Sequence, residues 1–356
     1  MALPASITPF SGTVDICSLA DQADDLICKH CILTEHERTA IVLWSLSTFG
    51  YENYRIFPRL ALISPERRCG KTTTLEVIST LCKMALSSSN LTPATLIRRR
   101  ARTELTLIID EADTFIKNAE GDIKGILNSG HNRSTATAIR CTGDAVTPTV
   151  FDVWYPIVLA SIGALHDTLM DRSLVINLKR KRPTDITIPI PPTLADQMLP
   201  YRQQALAWFI NNQQVLKANQ VRPPYRGNDR AVDNWVPLFT LANQMSEYWQ
   251  QRCQEAYENM VHEDEMELPT RLLHDIRLIW SRRTDETIPS NELLDELLKD
   301  DTAPWRTERL QSSKVARMLA PYNIKPKDIR FGSRVLRGYR RDQFTDAFDR
   351  YLPPLT

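Results

Sequence analysis

Two short runs of residues carry chemistry that their composition alone makes legible. The first is Gly70-Lys71-Thr72. It follows the apolar run Leu60-Ala61-Leu62-Ile63, which ends at Ser64-Pro65, and precedes a helix-compatible segment from Thr73 to about Leu86 with Leu75, Ile78, Leu81 and Cys82. A buried strand, a loop and a helix in that order expose backbone N–H groups and a helix N-terminus, which together hold anionic phosphate oxygens. The ammonium of Lys71 would reach the outer phosphates and the Thr72 hydroxyl would ligate Mg2+. The second run is Leu105-Thr106-Leu107-Ile108-Ile109-Asp110-Glu111, an apolar strand ending in paired carboxylates 39 residues beyond Lys71. Carboxylates at the C-terminal end of a parallel strand sit at the crevice where open α/β sheets bind phosphates.

These two runs fit the Walker A and Walker B elements of a P-loop. Asp110 would hold Mg2+ through water, and Glu111 would orient and polarise the attacking water as general base. Residues Ser64, Pro65, Glu66, Arg67, Arg68, Cys69, Gly70, Lys71, Thr72 and Thr73 would form the nucleotide cradle. In G-x-x-x-x-G-K-[ST] the first glycine falls at Pro65, whose fixed φ requires a different entry into the loop. The bland reading of Asp110-Glu111 is an acidic helix N-cap. Between the two runs, Ser87-Ser88-Ser89-Asn90-Leu91 is a candidate strand and Pro93 to Arg100 a helical turn. A strand between the Walker strands, with Glu directly after Asp, indicates the additional-strand, catalytic-glutamate class. No Asn-Lys-x-Asp guanine motif is found, so ATP with Mg2+ is the expected cofactor pair. Adenine contacts are expected ahead of the first strand, within Ile41–Tyr54, although Phe49-Gly50 offers no hydrogen-bonding side chain.

The whole-chain arithmetic sets the frame. The 356 residues are 42% apolar and 24% charged, which excludes disordered, collagen-like and coiled-coil classes. The longest uncharged apolar run, Val153 to Leu165, is too short to span a bilayer, and the N-terminus lacks a basic region followed by a hydrophobic stretch. A cytoplasmic protein with no membrane partner is expected. Seven irregularly spaced cysteines give no disulfide framework. Cys28 and Cys31 form a C-x-x-C near His30 and His36, but no second pair at finger-like spacing follows, which favours small residues on a helix over a zinc site.

Further along, Tyr155-Pro156-Ile157-Val158-Leu159-Ala160-Ser161 is a third apolar strand, and Leu174–Leu178 a fourth. Thr135–Arg140 and Thr147–Val153 alternate like a hairpin, preceded by a helix over Asp122–Ser129. After the basic run Lys179–Arg182, the Pro-rich Ile186–Pro192 reads as a linker. Helical patterns follow at Leu194–Leu216 and Arg230 to about Met260. The last segment has helical stretches at Thr270–Arg282, Ser290–Leu298 and Ser312–Ala320, a β-rich piece from Ile329 to Arg340 and a short helix Asp342–Tyr351. That is the element order of a winged helix. From Lys314 to Arg341 there are nine Lys and Arg against one acid, Asp328, a net +8 in 28 residues. The whole chain is +1, so the remainder sums to −7. With Tyr322, Phe331 and Tyr339 interleaved, the stripe is the electrostatic footprint of a nucleic-acid face, with Arg330, Arg334, Arg337, Arg340 and Arg341 as contacts and Leu336–Arg340 as the wing turn. An acidic protein partner is the rival reading.

The run Pro58–Thr72, then Ile109–Phe115, Gly125–His131 and Asp167–Ser173, is similar to an uncharacterised P-loop ATPase family of prophages, plasmids and integrative elements, AAA+ and superfamily III helicase-like. The resemblance spans roughly Ala40 to the C-terminus. It implies a DNA-dependent ATPase, a bacterial cytoplasmic location and a separate primase as a possible partner. By the same resemblance, Ser161 stands where AAA+ proteins carry sensor 1, Arg172 looks like an arginine finger acting in trans within a homo-oligomeric ring or arc, and Arg230 like a sensor 2, with Arg226 as its rival. His131, Arg133 and Arg140 stand where ring helicases place a DNA-facing hairpin. The implied fold is an α/β AAA+-like P-loop core with a helical lid and a winged-helix-like domain, divided as 1–56, 57–185, 186–267 and 268–356. The implied activity is ATP hydrolysis coupled to DNA translocation or unwinding. Two alternatives stay open: a non-translocating DNA-binding ATP switch in element regulation or anti-phage defence, and a protein remodeller.

Overall fold

The computed structural model describes residues 6–88, 105–112, 121–142, 147–261, 268–300, 303–306 and 308–352. The helical turn expected at Pro93–Arg100 lies outside the described residues, as do Ser89, Asn90, Leu91 and Asp113–Phe115. The chain divides into two compact units, Met1–Glu263 and Asp264–Thr356.

The first unit is built on a five-stranded, wholly parallel sheet: β1 (Arg59–Ser64), β2 (Ala85–Ser88), β3 (Thr106–Ile109), β6 (Ile157–Ile162) and β7 (Ser173–Asn177), in the order β2-β3-β6-β1-β7. A hairpin of β4 (Thr137–Thr142) and β5 (Thr147–Asp152) stands apart from it. β1 and β6 read as continuous apolar runs because both faces are covered. The covering helices are α1 (Ile16–His30), α2 (Glu35–Ser47), α3 (Lys71–Leu81) and α4 (Gly121–Ser129), then the single turn α5 (Asp167–Met170) and the group α6 (Leu194–Gln197), α7 (Leu199–Ala218), α8 (Asp229–Ala242) and α9 (Glu247–Met260).

α2 starts on a reciprocal capping box between Thr34 and Glu37 and is then buried from Thr39 to Ser47. Trp44 anchors it, donating from Nε1 to the Pro58 carbonyl at 2.9 Å. The Ile41–Tyr54 segment, expected to carry adenine contacts, is therefore core. The helical pattern over Arg230–Met260 is two helices rather than one, broken at 243–246. The strand that separates β1 from β3 is β6, contributed from much later in the chain. β2, which the sequence places between the two motifs, lies at the sheet edge.

β1 opens with a charge in the core. The Arg59 guanidinium is fully buried and donates from Nη1 to Tyr155 O at 3.0 Å and from Nη2 to Leu127 O at 2.9 Å. It thereby ties β1 to the lead-in of β6 and to α4. Burial lowers its pKa to about 10, which leaves it charged. Gly130 makes room for it, since a Cβ there would lie 2.4 Å from Val153 O and 2.7 Å from Arg59 Nη2.

In the second unit, α10 (Leu268–Ser281), α11 (Ser290–Leu297), α12 (Ser312–Leu319) and α13 (Thr345–Tyr351) pack with a three-stranded antiparallel sheet. Its strands are β8 (Thr287–Pro289), β9 (Lys327–Phe331) and β10 (Arg334–Arg340), in the order β8-β10-β9. Trp280, Trp305, Leu293 and Phe344 centre its core. The sequence signals all of these elements except β8, which is only three residues long.

Replacing Arg59 with Met strands two buried carbonyls. Each charge-assisted bond contributes about 1.5–3 kcal/mol, so the variant should lose about 3 kcal/mol or more. Urea denaturation of the full chain checks this; an unchanged midpoint would exclude Arg59 as a tie between β1, α4 and β6.

Candidate functional site

The C-terminal ends of β1, β3 and β6 bring the chemistry-bearing residues together. After β1, the loop 65–70 contains two left-handed residues, Arg68 at φ 68° and Gly70 at φ 78°, on either side of buried Cys69. Gly70 is the N-cap of α3, and the first amide of the helix to find its acceptor is Thr74, bonded to Gly70 O at 2.9 Å. The amides of the first turn ahead of it are those that an α-helix cannot satisfy internally. Arg68 and Gly70 thus fold a tight, donor-rich loop at the positive end of a helix, an arrangement suited to an anion.

Lys71 begins α3, and its Nζ lies 3.3 Å from Asp110 Oδ1 at the end of β3. Asp110 Oδ1 also accepts the Glu111 amide at 2.8 Å, and Glu111 is itself left-handed, at φ 55°. A non-glycine residue in that region marks strain retained by its surroundings. The Glu111 side chain is exposed, as is Thr72; Thr73 is half-buried and Ser64 buried, with Pro65, Glu66, Arg67 and Arg68 on the surface. Glu66 pairs with Arg180 at 3.5 Å. Ser161, at the end of β6, is fully buried and its hydroxyl donates to Gly163 O at 2.9 Å, while its carbonyl accepts from Ser64 Oγ at 3.3 Å. Its proton is spent on the turn after β6, as is common for a serine at a strand end.

Beside the loop is a cavity of about 550 Å3 that sequence reasoning missed. Arg68, Cys69, Gly70 and Thr73 form one side; Cys31 and Ile32 form another, and the segment Thr187–Ile190 a third. That segment, read as a linker, is latched to the end of α1: the Ile188 amide donates to Lys29 O at 2.9 Å and His30 Nδ1 donates to Ile188 O at 2.7 Å. Its proline content was visible, but nothing local announced what it would cover. Burial pushes the Cys31 thiol up to about 11, opposed by a hydrogen bond with Thr74, so Cys31 is a poor source of thiolate. Among the described residues no group of three or more His, Cys, Asp or Glu stands together to hold a metal.

Arg172 and Arg230 lie at the opposite end of the sheet. Arg172 directly precedes β7, whose first residue Ser173 pairs with Arg59 at the start of β1. The length of β1, roughly 17 Å at ~3.4 Å per residue, separates that end from Lys71. Arg172 donates from Nη1 to Thr168 O at 2.7 Å. Burial and the neighbouring Arg230 lower its pKa, against the pull of Asp171. Arg230 pairs with Asp171, so the expectation that it reaches the phosphate end of its own chain is corrected: its position on α8 and this carboxylate hold it at the far end. The rival, Arg226, is engaged by Val261 O at 2.7 Å.

The same end holds a buried polar chain. His131 donates from Nε2 to Asn234 Oδ1 at 2.7 Å, and Asn234 donates to Asp171 O at 3.1 Å. His131 is only 5% exposed, which corrects the expectation that it belongs to a DNA-facing hairpin. Arg133 donates to the Glu52 carbonyl, and Arg140 lies on β4.

In the second unit, Arg330, Arg334, Arg337 and Arg340 are exposed on β9 and β10, while Arg341 is half-buried beyond them. Arg337 Nη2 reaches Pro326 O at 3.4 Å. The turn between the strands is Gly332-Ser333, not Leu336–Arg340. Gly338 and Tyr339 are buried where β10 pairs with β8, and the pairing leaves no room for a side chain at 338, where a Cβ would lie 2.4 Å from Ile288 O. Tyr339 packs on Phe344 and is unavailable for stacking on a base; burial pushes its hydroxyl up to about 12.

No helix among the described residues is long and apolar enough to cross a membrane. Residues 177–351 match the family model described as "Protein of unknown function (DUF3631)", which leaves Lys71, Asp110 and Glu111 outside the matched segment. The chain is similar to an "Uncharacterized 28.9 kDa protein in xis 5'region" of Saccharopolyspora erythraea, 35% identical over 134 residues, 35% of this chain and 50% of that protein. It therefore spans about half the length of that relative. A looser likeness, at TM-score 0.43 and 11% identity, joins 94% of this chain to 77% of the apo, A-form NrS-1 C terminal region, too remote to fix the fold.

Burial lowers the His131 pKa to about 4, with Arg59, Arg172 and Arg230 adding to the effect and the Asn234 bond opposing it. A depressed pKa means the unfolded chain binds the proton first, so this contribution is present above pH 6.5 and is lost as pH falls toward 4. Between pH 7 and pH 5 the wild type should lose about 2 kcal/mol from this residue. The pH dependence of urea unfolding should flatten in His131→Gln; identical slopes would show that His131 titrates normally.

Proposed function

We propose that the chain is a P-loop ATPase of the additional-strand, catalytic-glutamate class, and that its turnover responds to DNA. The observation that carries this reading is the Lys71–Asp110 pair. It joins the N-terminus of α3 to the end of a strand two places away in a parallel sheet, with Glu111 directly after it. In the nucleotide-bound state Lys71 would leave Asp110 for the β- and γ-phosphates, and Asp110 would take up Mg2+ through water. The donor set suits that group: a hydroxyl at Thr72, a carboxylate at Asp110, and a loop of amides between them. Glu111 would hold the attacking water, and the cavity beside Cys69 and Ile32 would receive the nucleoside.

The separation of Arg172 from Lys71 supports a role for Arg172 only on a second copy's nucleotide, hence a homo-oligomer. The DNA part rests on the positive stripe of the second unit, in particular Arg330, Arg334 and Arg337. A replicative, helicase-like task on a mobile element follows from the sequence resemblance alone. A separate primase remains a possible partner on the same ground.

Steady-state ATP hydrolysis by wild type, Lys71→Ala and Glu111→Gln, each with and without duplex and single-stranded DNA, tests the reading. Wild type should turn over faster with DNA. Glu111→Gln should still bind nucleotide while turnover falls by about 100-fold or more, the scale of a lost general base. Turnover indifferent to DNA would redirect the search to a protein partner, and a fully active Glu111→Gln would remove the assigned site.

A further inference from the structure

The second unit divides its positive charge unevenly between the two elements that could meet a nucleic acid. α12, in the place of a recognition helix, presents little: Ser313 and Arg317 are exposed, while Lys314 is half-buried and held by Glu308 Oε2 at 2.8 Å. The β9–β10 hairpin presents much more. Lys327, Arg330 and Arg334 on it, and Lys325 just ahead of β9, are exposed, and none has an ion-pair partner among the described residues.

The hairpin also has the geometry of a probe. Its base is fixed, since Gly338, Tyr339 and Arg340 pair with Pro289, Ile288 and Thr287 of β8. Beyond Gly338 the third strand stops. Residues 334–337 of β10 pair only with 328–331 of β9, through Arg334↔Phe331, Val335↔Arg330, Leu336↔Ile329 and Arg337↔Asp328. This is a two-stranded ribbon, about 13 Å long at ~3.3 Å per residue, closed by a two-residue turn with Gly332 at φ 59°. On it Val335 is 65% exposed, on the face that it shares with Arg330 and Arg337, and Leu336 is 40% exposed on the opposite face with Arg334. A solvated hairpin gains nothing from exposed Val and Leu there. A ribbon that enters a groove of duplex DNA does, because the groove supplies sugar and methyl surface flanked by phosphates.

We infer that the chain grips duplex DNA with the β9–β10 ribbon rather than with α12: Arg330 and Arg334, one on each face of the ribbon, meet the phosphates of the two flanking strands while Val335 and Leu336, likewise one on each face, pack against the two walls of the groove. This rests on the DNA reading above and names the contact element and the strandedness of the partner.

Fluorescence anisotropy of the full chain on a labelled 30-base-pair duplex and on the matching single strand, across a salt series, tests it. Arg330→Gln/Arg334→Gln should weaken duplex binding about tenfold or more and reduce the steepness of the salt dependence by about two, one per lost phosphate contact. Val335→Ser/Leu336→Ser should weaken duplex binding at every salt concentration without changing that steepness. Arg317→Gln on α12 should stay near wild type. If Arg317→Gln loses more than the ribbon variants, α12 is the contact and the ribbon assignment is wrong. If Val335→Ser/Leu336→Ser binds as wild type, or the single strand binds as tightly as the duplex, nothing enters a groove. If wild type binds neither DNA, the DNA reading itself fails and the ribbon contact with it.

Discussion

The site depends on one topological constraint: β6 lies between β1 and β3 in a parallel sheet. Parallel strands present their C-terminal ends on the same side, so the loop after β1 and the carboxylate after β3 must emerge together. The intervening strand sets them one strand-width further apart than neighbours would be. That spacing leaves room for an ammonium, and Lys71 fills it. β6 cannot be supplied locally. The chain must first build β3 and α4 and then return, and the buried Arg59 bonds the lead-in to β6 and the end of α4 to the strand that carries the loop.

What was legible in the sequence follows from what is local. The strand, loop and helix around Gly70-Lys71-Thr72 and the strand that ends at Asp110-Glu111 were readable because these elements are adjacent in the chain, and apolar runs mark buried parallel strands directly. The helices and hairpin of the second unit were readable for the same reason. Apart from the break at 243–246 and the three-residue β8, the errors were long-range. Arg230 sits at a helix start, and only the fold puts Asp171 beside it; His131 looked like a surface basic residue until Asn234, far along the chain, enclosed it. The Ile41–Tyr54 segment was expected to carry adenine contacts from its position ahead of β1 alone, and it is packed inside. The wing turn was misplaced because Gly338 was taken for a turn glycine, when it is needed for close approach of two strands. The real turn glycine, Gly332, adopts the positive φ.

Both ends of the first unit's sheet pair their charges, Lys71 with Asp110 at one and Arg230 with Asp171 at the other. The Lys71 side chain is the more enclosed of the two cations, 14% exposed against 51% for Arg230. The far end differs in its links through neutral groups: Thr168 O holds Arg172, and a neutral imidazole bridges through Asn234 to the backbone of Asp171.

Pro65 gives the loop a property that the usual glycine would not. Its ring fixes φ where the chain leaves β1, and Arg68 further along the loop is left-handed. A glycine at that position would sample many entry angles and surrender them on binding; the proline has surrendered them in advance, in the unfolded chain as well as the folded one. The loop is therefore closer to a cast mould than to a closing hand: less of its backbone freedom is left to be lost when the chain folds.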